Sequence, residues 1–187
     1  MGDCSIRYRA DECIDLPEVT RIQREVALSI EAEAYYEKVI NGIKNVGKNM
    51  LLLENAFMQM REIASGFLIY RTEDKERREF SFQDNPKLEV LLELIESMPE
   101  KAKMVVFHEF IHSGKLICKT LIDLKIGVSD VWSGTKDPGA SIRYFVDDPR
   151  CRVLVGNNKS IALGLDELKV ANYGVFYALD DRAAQSY

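Results

Sequence analysis

The pentapeptide His108–His112, with the sequence HEFIH, holds the residues best suited to do chemistry by themselves. It matches the H-E-x-x-H pattern, in which two histidines bind zinc and the glutamate acts as a general base. That chemistry needs a helix, because only a helix brings positions i and i+4 onto one face. The preceding run Met104–Phe107 instead predicts a buried strand, and the chain has only 2 histidines. We therefore interpret the motif as a turn at a strand end and expect no zinc. A zinc metallopeptidase that uses His108, Glu109 and His112 is kept as an alternative.

Two polar segments elsewhere in the chain have the composition of phosphate-binding loops. The first, Ser133–Lys136, combines a glycine, two hydroxyls and a lysine, and exposed backbone N–H groups and hydroxyls suit phosphate oxygens. The second, Asn157–Asp166, has the sequence NNKSIALGLD and adds amides, a hydroxyl and another lysine. Taken alone, each is typical of a solvated loop. The pattern G-x-x-x-x-G-K-[ST] occurs nowhere, so we predict that the chain has no loop of its own that cradles ATP phosphates.

The elements that must position these residues alternate regularly from Pro86 onward. A helix begins at Asn85-Pro86, because proline is favoured in the first turn of a helix, and short apolar strands then alternate with helices. Such alternation predicts a parallel sheet covered by helices on both faces. Ligands of such sheets gather at the carboxyl ends of the strands, so we expect all three polar segments at one edge. The predicted strands are Met104–Phe107, Val128–Trp132, Cys151–Val155 and Tyr173–Tyr177, and the helices between them are Ser113–Leu124 and Ser141–Val146.

The residues before this alternation predict an extended piece followed by two helices. Ser29 is a suitable N-cap for the first helix, and Gly66 is a suitable stop for the second. We therefore divide the chain into a front region, residues 1–82, and an α/β lobe, residues 83–187. Two apolar segments at the end of the front region flank a charged stretch and predict a hairpin, namely Phe67–Tyr70 and Glu79–Phe82.

The composition limits the class of protein. With 187 residues, 47% hydrophobic and 29% charged, the chain suits one α/β domain with an appendage. The net charge of −5 argues against a uniformly basic protein that coats nucleic acid, but it leaves room for a basic patch on one face. No apolar run is long enough to span a membrane. The 4 cysteines form no C-x-x-C pair, so we expect reduced thiols and a cytoplasmic location.

Eight segments, taken in order, carry a resemblance to one protein family. They are Glu12–Pro17, Arg61–Gly66, Leu88–Ile95, Val105–Phe110, Trp132–Thr135, Asp147–Val155, Lys159–Asp166 and Val170–Tyr177. Their order and spacing resemble the C-terminal helicase lobe of Swi/Snf-like superfamily 2 ATPases, of the phage and bacterial type. The sequence departs from that pattern where His108-Glu109 replaces Ser-Gln, Ile161-Ala162 replaces Gly-Gly, and Asp166 replaces Asn.

The resemblance implies a fold and a mechanism. The fold would be a RecA-like, P-loop-NTPase-type parallel sheet flanked by helices, with an N-terminal helical hairpin as an appendage. The mechanism would be that of a DNA-dependent helicase or translocase on double-stranded DNA, in which a missing N-terminal RecA-like lobe holds ATP and Mg²⁺. The arginine-finger motif would begin just beyond Tyr187, so we expect no catalytic residue in this chain. A non-catalytic remnant that serves as an interaction module is a further alternative.

The resemblance also implies roles for particular residues. Gly164 and Asp166 would lie near the nucleotide and couple it to the grip on DNA. Hydroxyls and backbone N–H groups would bind DNA phosphates, and lysines would add a salt-sensitive attraction. The location would be the cytoplasm of a prokaryotic or phage-infected cell. The residues expected to bind DNA are Ser133, Gly134, Thr135, Lys136, Lys159 and Ser160.

Overall fold

The computed structural model describes residues 20–46, 50–71, 76–161 and 166–178. In the front region, helix α1 (Ile30–Val46) begins after Ser29, whose hydroxyl accepts a hydrogen bond from the N–H of Ala32 at 3.3 Å. Helix α2 (Met50–Ala64) packs against α1 and is followed by Gly66, where φ is +89°. Glycine adopts this left-handed backbone without strain. The predicted helix start and helix stop are both confirmed.

A short antiparallel pair of strands follows α2. Strand β1 (Phe67–Arg71) lies beside β2 (Arg77–Ser81), with Phe67 opposite Ser81. The predicted hairpin is therefore confirmed, although β2 begins two residues before the predicted start at Glu79, because exposed arginines extend the backbone pairing without apolar side chains. The buried side chains that join the hairpin to the helices are Ala32, Ile63 and Phe82, with Tyr35 and Phe80 packed against them.

The lobe alternates helices and strands as predicted. Its elements are α3 (Pro86–Ser97), β3 (Met104–His108), α4 (Ile111–Asp123), β4 (Gly127–Val131), α5 (Pro138–Asp147), β5 (Cys151–Asn157), the one-turn α6 (Asn158–Ile161), a 3₁₀ turn (Asp166–Val170) and β6 (Tyr173–Phe176). The four strands from β3 onward form a sheet in the order β4-β5-β3-β6, and every neighbouring pair is parallel. The predicted parallel α/β architecture is confirmed.

Both faces of this sheet are covered by helices. On β3, Met104 and Val106 face the layer formed by α3 and α4, whereas Val105 faces the layer that contains α5. Burial on both sides explains why the strands read as short apolar runs rather than as alternating ones. No helix in the described part of the chain is both long and apolar enough to cross a bilayer. The helix residues buried on the sheet are Leu88, Leu91, Ile95, Ile117 and Leu121 on one face and Phe145 on the other.

Helix α5 begins three residues before the predicted start at Ser141. The carboxylate of Asp137 caps it by accepting a hydrogen bond from the N–H of Ala140 at 2.8 Å, and Pro138 occupies the first turn. A capping carboxylate and an N-terminal proline both favour a helix start. Pro138 therefore lies in the first turn of α5 rather than before the helix.

Helix α4 also begins before its predicted start at Ser113. The carbonyl of Phe110 accepts a hydrogen bond from the N–H of Gly114 at 3.1 Å, which closes the first helical turn across the Ser-Gly pair. The predicted start at Ser113 is therefore two residues late. His112 consequently lies in α4, while His108 is the last residue of β3.

Candidate nucleic-acid interface

Three polar segments lie next to one another at the carboxyl edge of the sheet. Strand β5 lies between β4 and β3, with Asn157 opposite His108 and Gly156 opposite Val131. The three strands therefore end side by side. Their placement at one edge is confirmed, whereas the binding of DNA there stays a prediction. The segments are Glu109–Phe110 after β3, Ser133–Lys136 after β4 and Asn158–Ser160 after β5.

The turn after β4 is organised by the hydroxyl of Thr135. This hydroxyl donates to the carboxylate of Asp130 at 2.9 Å and accepts the N–H of Trp132 at 3.0 Å. Because its proton is already donated within the protein, Thr135 shapes the turn and has no hydrogen left to offer a phosphate. A ligand at this turn would meet the exposed residues Ser133, Gly134 and Lys136.

The segment after β5 is held in place by two asparagines. Asn157 donates through Nδ2 to the carbonyl of Glu109 at 2.8 Å and accepts, through Oδ1, the N–H of Lys159 at 3.0 Å. Asn158 donates to the carbonyl of Ala178 at 2.8 Å. One asparagine thus ties this segment to the end of β3, and the other ties it to the residues just after β6. The exposed Lys159 is presented from a segment of defined geometry.

The next residues of this segment turn back toward the core. Ser160 is half-buried, and the side chain of Ile161 is buried against Gly156, where an added Cβ would lie 1.8 Å from Ile161 Cδ1. Ile161 is thus a core residue at a position where the resemblance has glycine. Gly164 lies outside the described residues, and Asp166 begins the 3₁₀ turn. The predicted location of both near a nucleotide stays a prediction.

Charges of both signs lie at this edge. Lys136 and Lys159 are exposed, and neither takes part in an ion pair within the described ranges. Two carboxylates flank the same turn, because Asp130 holds the Thr135 hydroxyl and Asp137 caps α5. Lysines attract phosphates and carboxylates repel them, so this edge suits a weak and salt-sensitive interaction with a polyanion.

His108, at the end of β3, is a core residue. Its ring is fully buried, lies edge-on to Trp132 at 5.6 Å, and places Nδ1 3.0 Å from the carbonyl oxygen of Phe110. Burial lowers the pKa of His108 from 6.5 to about 4, because a charged imidazolium is disfavoured away from water. Gly114 leaves room for the ring, since a Cβ there would lie 2.5 Å from Nε2. This close approach accounts for a glycine inside α4.

His112, in the first turn of α4, contacts the hairpin instead. Its Nε2 lies 2.9 Å from the hydroxyl of Ser81, its Nδ1 lies 3.2 Å from the carboxylate of Glu79, and its ring stacks on Phe67 at 4.4 Å. Because His108 ends a strand and His112 lies in a helix, they do not share the helical face that H-E-x-x-H zinc sites need. No group of three or more His, Cys, Asp or Glu side chains in the described part of the chain is arranged to hold a metal ion.

Glu109, the remaining polar residue of the motif, contacts the front region. Its carboxylate forms an ion pair with the guanidinium of Arg61 in α2, and that guanidinium also lies over the ring of Phe110 at 5.6 Å. Sequence reasoning missed this junction. Glu109 lies 48 positions after Arg61 in the sequence, and local spacing carries no signal for such a pair. The motif read as a possible metal site is thus part of the contact between the front region and the lobe.

Comparison with known proteins supports the architecture. No family model matches the chain, and no curated protein matches it. Among solved structures, the C-terminal domain of the Sulfolobus solfataricus SWI2/SNF2 ATPase aligns with a TM-score of 0.60 and 20% identity, over 81% of this chain and 68% of that chain. The chain has the RecA-like fold of that C-terminal domain.

Longer structures of the Sulfolobus solfataricus SWI2/SNF2 ATPase align in the same way. Its core in complex with dsDNA aligns with a TM-score of 0.63 and 20% identity, over 86% of this chain and 36% of that chain. Its core domain aligns with a TM-score of 0.56 and 14% identity, over 81% of this chain and 37% of that chain. The chain therefore spans little more than a third of the length of these cores, and at such identities the likeness concerns the fold.

Proposed function

We propose that this chain is the C-terminal lobe of a DNA-dependent ATPase motor, a Swi/Snf-like helicase or translocase that acts on double-stranded DNA. The observation that carries the proposal is the adjacency of Ser133–Lys136 and Asn158–Ser160 at one sheet edge. A related fold has been solved with dsDNA. The partners are duplex DNA and an N-terminal RecA-like lobe of the same motor, and the setting is cytoplasmic.

The chemistry assigned to this chain is phosphate binding rather than bond cleavage. The exposed hydroxyl of Ser133, the backbone N–H groups around Gly134 and the hydroxyl of Ser160 would meet phosphate oxygens of the DNA backbone, while Lys136 and Lys159 would attract them over a longer range. Such contacts hold a duplex without reading its sequence, because every nucleotide carries the same phosphate. Binding would therefore be independent of sequence.

ATP hydrolysis would need the other lobe. A phosphate-cradling loop is absent from the sequence, and the described residues contain no cluster of carboxylates that could hold Mg²⁺. We therefore infer that the N-terminal lobe supplies the groups that bind the ATP phosphates and Mg²⁺. Gly164 and Asp166 would approach the nucleotide from this side.

Titration with duplex DNA at low salt tests the proposal. We expect a Kd on the order of 10⁻⁴ M or weaker at physiological salt and tighter binding at low salt, because phosphate contacts release counterions. Lys159→Glu should weaken binding about 3- to 10-fold for all sequences alike and should lower the salt slope by about 1.

The matched control for this titration is Lys119→Glu, which makes the same charge change on an exposed position of α4, away from the sheet edge. We expect it to lower the affinity much less than Lys159→Glu. Equal losses in the two variants would mean that only net charge matters, and the proposed interface would then be wrong.

A further inference from the structure

A continuous line of contacts joins α2 of the front region to the segment that carries Lys159. The guanidinium of Arg61 pairs with the carboxylate of Glu109, the carbonyl of Glu109 accepts a hydrogen bond from Asn157 Nδ2, and Asn157 Oδ1 accepts the N–H of Lys159. Every link is a direct ion pair or hydrogen bond. The front region therefore contacts the proposed phosphate-binding segment through only two intervening residues.

The ion pair at the start of this line is largely shielded from water. The side chains of Arg61 and Glu109 expose 23% and 19% of their surface, respectively. Solvent and salt screen such a pair much less than an exposed one, and removing one partner leaves a half-buried charge without its counterion. The loss of Arg61 should therefore move Glu109 toward water and displace its backbone carbonyl.

The amide of Asn157 is suited to transmit that displacement. One planar group holds both hydrogen bonds, at 2.8 Å to the Glu109 carbonyl and at 3.0 Å to the N–H of Lys159. The nitrogen and the oxygen of an amide group move together. A shift of the Glu109 carbonyl would therefore rotate the Asn157 amide and move the Oδ1 atom that accepts the N–H of Lys159. The exposed lysine and the half-buried Ser160 next to it would change direction as a result.

We propose that Arg61 and Glu109 are positioning residues, which act through Asn157 to orient Lys159 and Ser160 for phosphate. The front region thereby sets the strength of the grip on DNA at the edge of the lobe. The proposal rests on the proposed function for its DNA part. Its structural part, the coupling of Arg61 to the N–H of Lys159, holds with or without DNA.

Other contacts keep the front region attached when this ion pair is removed. Phe67 packs edge-on against Phe110 at 5.3 Å and stacks on His112 at 4.4 Å. His112 also contacts the Ser81 hydroxyl. An Arg61→Ala variant should therefore stay folded and show a local effect, in contrast to variants that empty the aromatic contact.

Amide exchange and chemical shifts in the full chain measure the coupling directly. In Arg61→Ala, the Lys159 amide should shift and exchange with solvent about 3- to 10-fold faster, and duplex DNA should bind about 3- to 10-fold more weakly. Asn157→Ala should produce the same changes. Adding Arg61→Ala to Asn157→Ala should then have almost no further effect on the Lys159 amide or on DNA affinity, because Asn157→Ala already removes the connection between Glu109 and Lys159.

Three further variants separate positioning from general destabilisation. The swap of Arg61→Glu with Glu109→Arg should restore slow exchange at Lys159. Ile63→Val, in the buried front-region core, should lower stability without altering the Lys159 amide. Arg78→Ala, which breaks the exposed pair with Glu76, should change neither. If Arg61→Ala is too unstable for spectroscopy, the swap variant and Asn157→Ala decide the question.

The outcomes distinguish the two proposals. Unchanged exchange at Lys159 in Arg61→Ala, or effects of Arg61→Ala and Asn157→Ala that simply add, would overturn the coupling. If the wild-type chain binds no duplex DNA while the Lys159 amide still responds to Arg61→Ala, the coupling stands and the proposed function is wrong. If DNA binds but only Asn157→Ala weakens it, the front region has no part in the grip.

Discussion

The lobe and the front region differ in how much of their structure local sequence signals predict. In the lobe, short apolar strands and capped helices each carry a local signal, and the parallel sheet follows from their alternation. In the front region the elements are ordinary, and their importance lies in what they contact across the junction, above all Arg61 on Glu109 and the hairpin on His112. A motif with the spacing of a metal site thus joins two regions. Residue types and spacing alone do not distinguish a metal-binding motif from a contact between two regions of a protein.

The largest expected effect tests whether the two regions unfold as one unit. Phe67 in the hairpin and Phe145 in the lobe are both fully buried, so truncation of either to alanine should destabilise the protein by about 3–5 kcal/mol. Phe67 also packs on Phe110 and His112 of the lobe. Both variants should therefore shift the same cooperative unfolding transition.

Urea unfolding followed by Trp132 fluorescence and by circular dichroism measures this effect. The chain has 1 tryptophan, and it lies in the lobe, so its fluorescence reports on the lobe alone. Phe67→Ala should lower the fluorescence midpoint almost as much as Phe145→Ala does. An unchanged fluorescence midpoint in Phe67→Ala, with an early loss of helical signal, would mean that residues 1–82 and 83–187 are independent domains.

The features that the sequence predicts are local, and those that it does not predict depend on turns and on tertiary contacts. Strand β3 was predicted because Met104–Phe107 is a run of four apolar residues, which is a local signal for a buried strand. The start of α5 was predicted three residues late because Asp137 and Pro138, which together form a helix start, were not recognised as one. The engagement of the Thr135 hydroxyl with Asp130 depends on the exact path of a turn. The pairing of Arg61 with Glu109 depends on tertiary packing, which composition and spacing do not encode.

A smaller effect of pH should come from the lobe histidine. His108 is neutral in the folded protein because burial lowers its pKa to about 4 from 6.5. As pH falls, His108 is protonated in the unfolded chain before it is protonated in the folded protein. The contribution of neutral His108 to the free energy of unfolding is therefore complete above pH 6.5 and is lost toward pH 4. The loss should reach about 3 kcal/mol between pH 7 and pH 4.

Urea unfolding at several pH values isolates this contribution. In His108→Gln the corresponding part of the pH dependence should disappear, because the glutamine side chain does not titrate. His112→Gln is the matched control at the junction with the front region, and it should retain the pH dependence that His108 causes. An identical pH profile in wild type and His108→Gln would show that the buried ring is not the source.

The smallest expected effects come from substitution of Asp137, which should lower stability and raise DNA affinity. This carboxylate caps α5 through the N–H of Ala140 and lies next to Lys136 in the proposed interface. Asp137→Ala removes the cap and should destabilise the lobe by about 1 kcal/mol. It also removes a negative charge beside the phosphate-binding turn, so duplex DNA should bind up to about 2-fold more tightly at low salt.

Asp137→Asn separates the two roles, because asparagine caps a helix about as well as aspartate but carries no charge. We expect this variant to keep wild-type stability and to show the same tighter binding as Asp137→Ala. Glu33→Gln in α1 removes the same charge from an exposed position of the front region, and it should not change DNA affinity by a measurable amount. If Glu33→Gln tightens binding as much as Asp137→Asn does, the duplex responds to net charge. The grip would then not be localised at the carboxyl edge of the lobe.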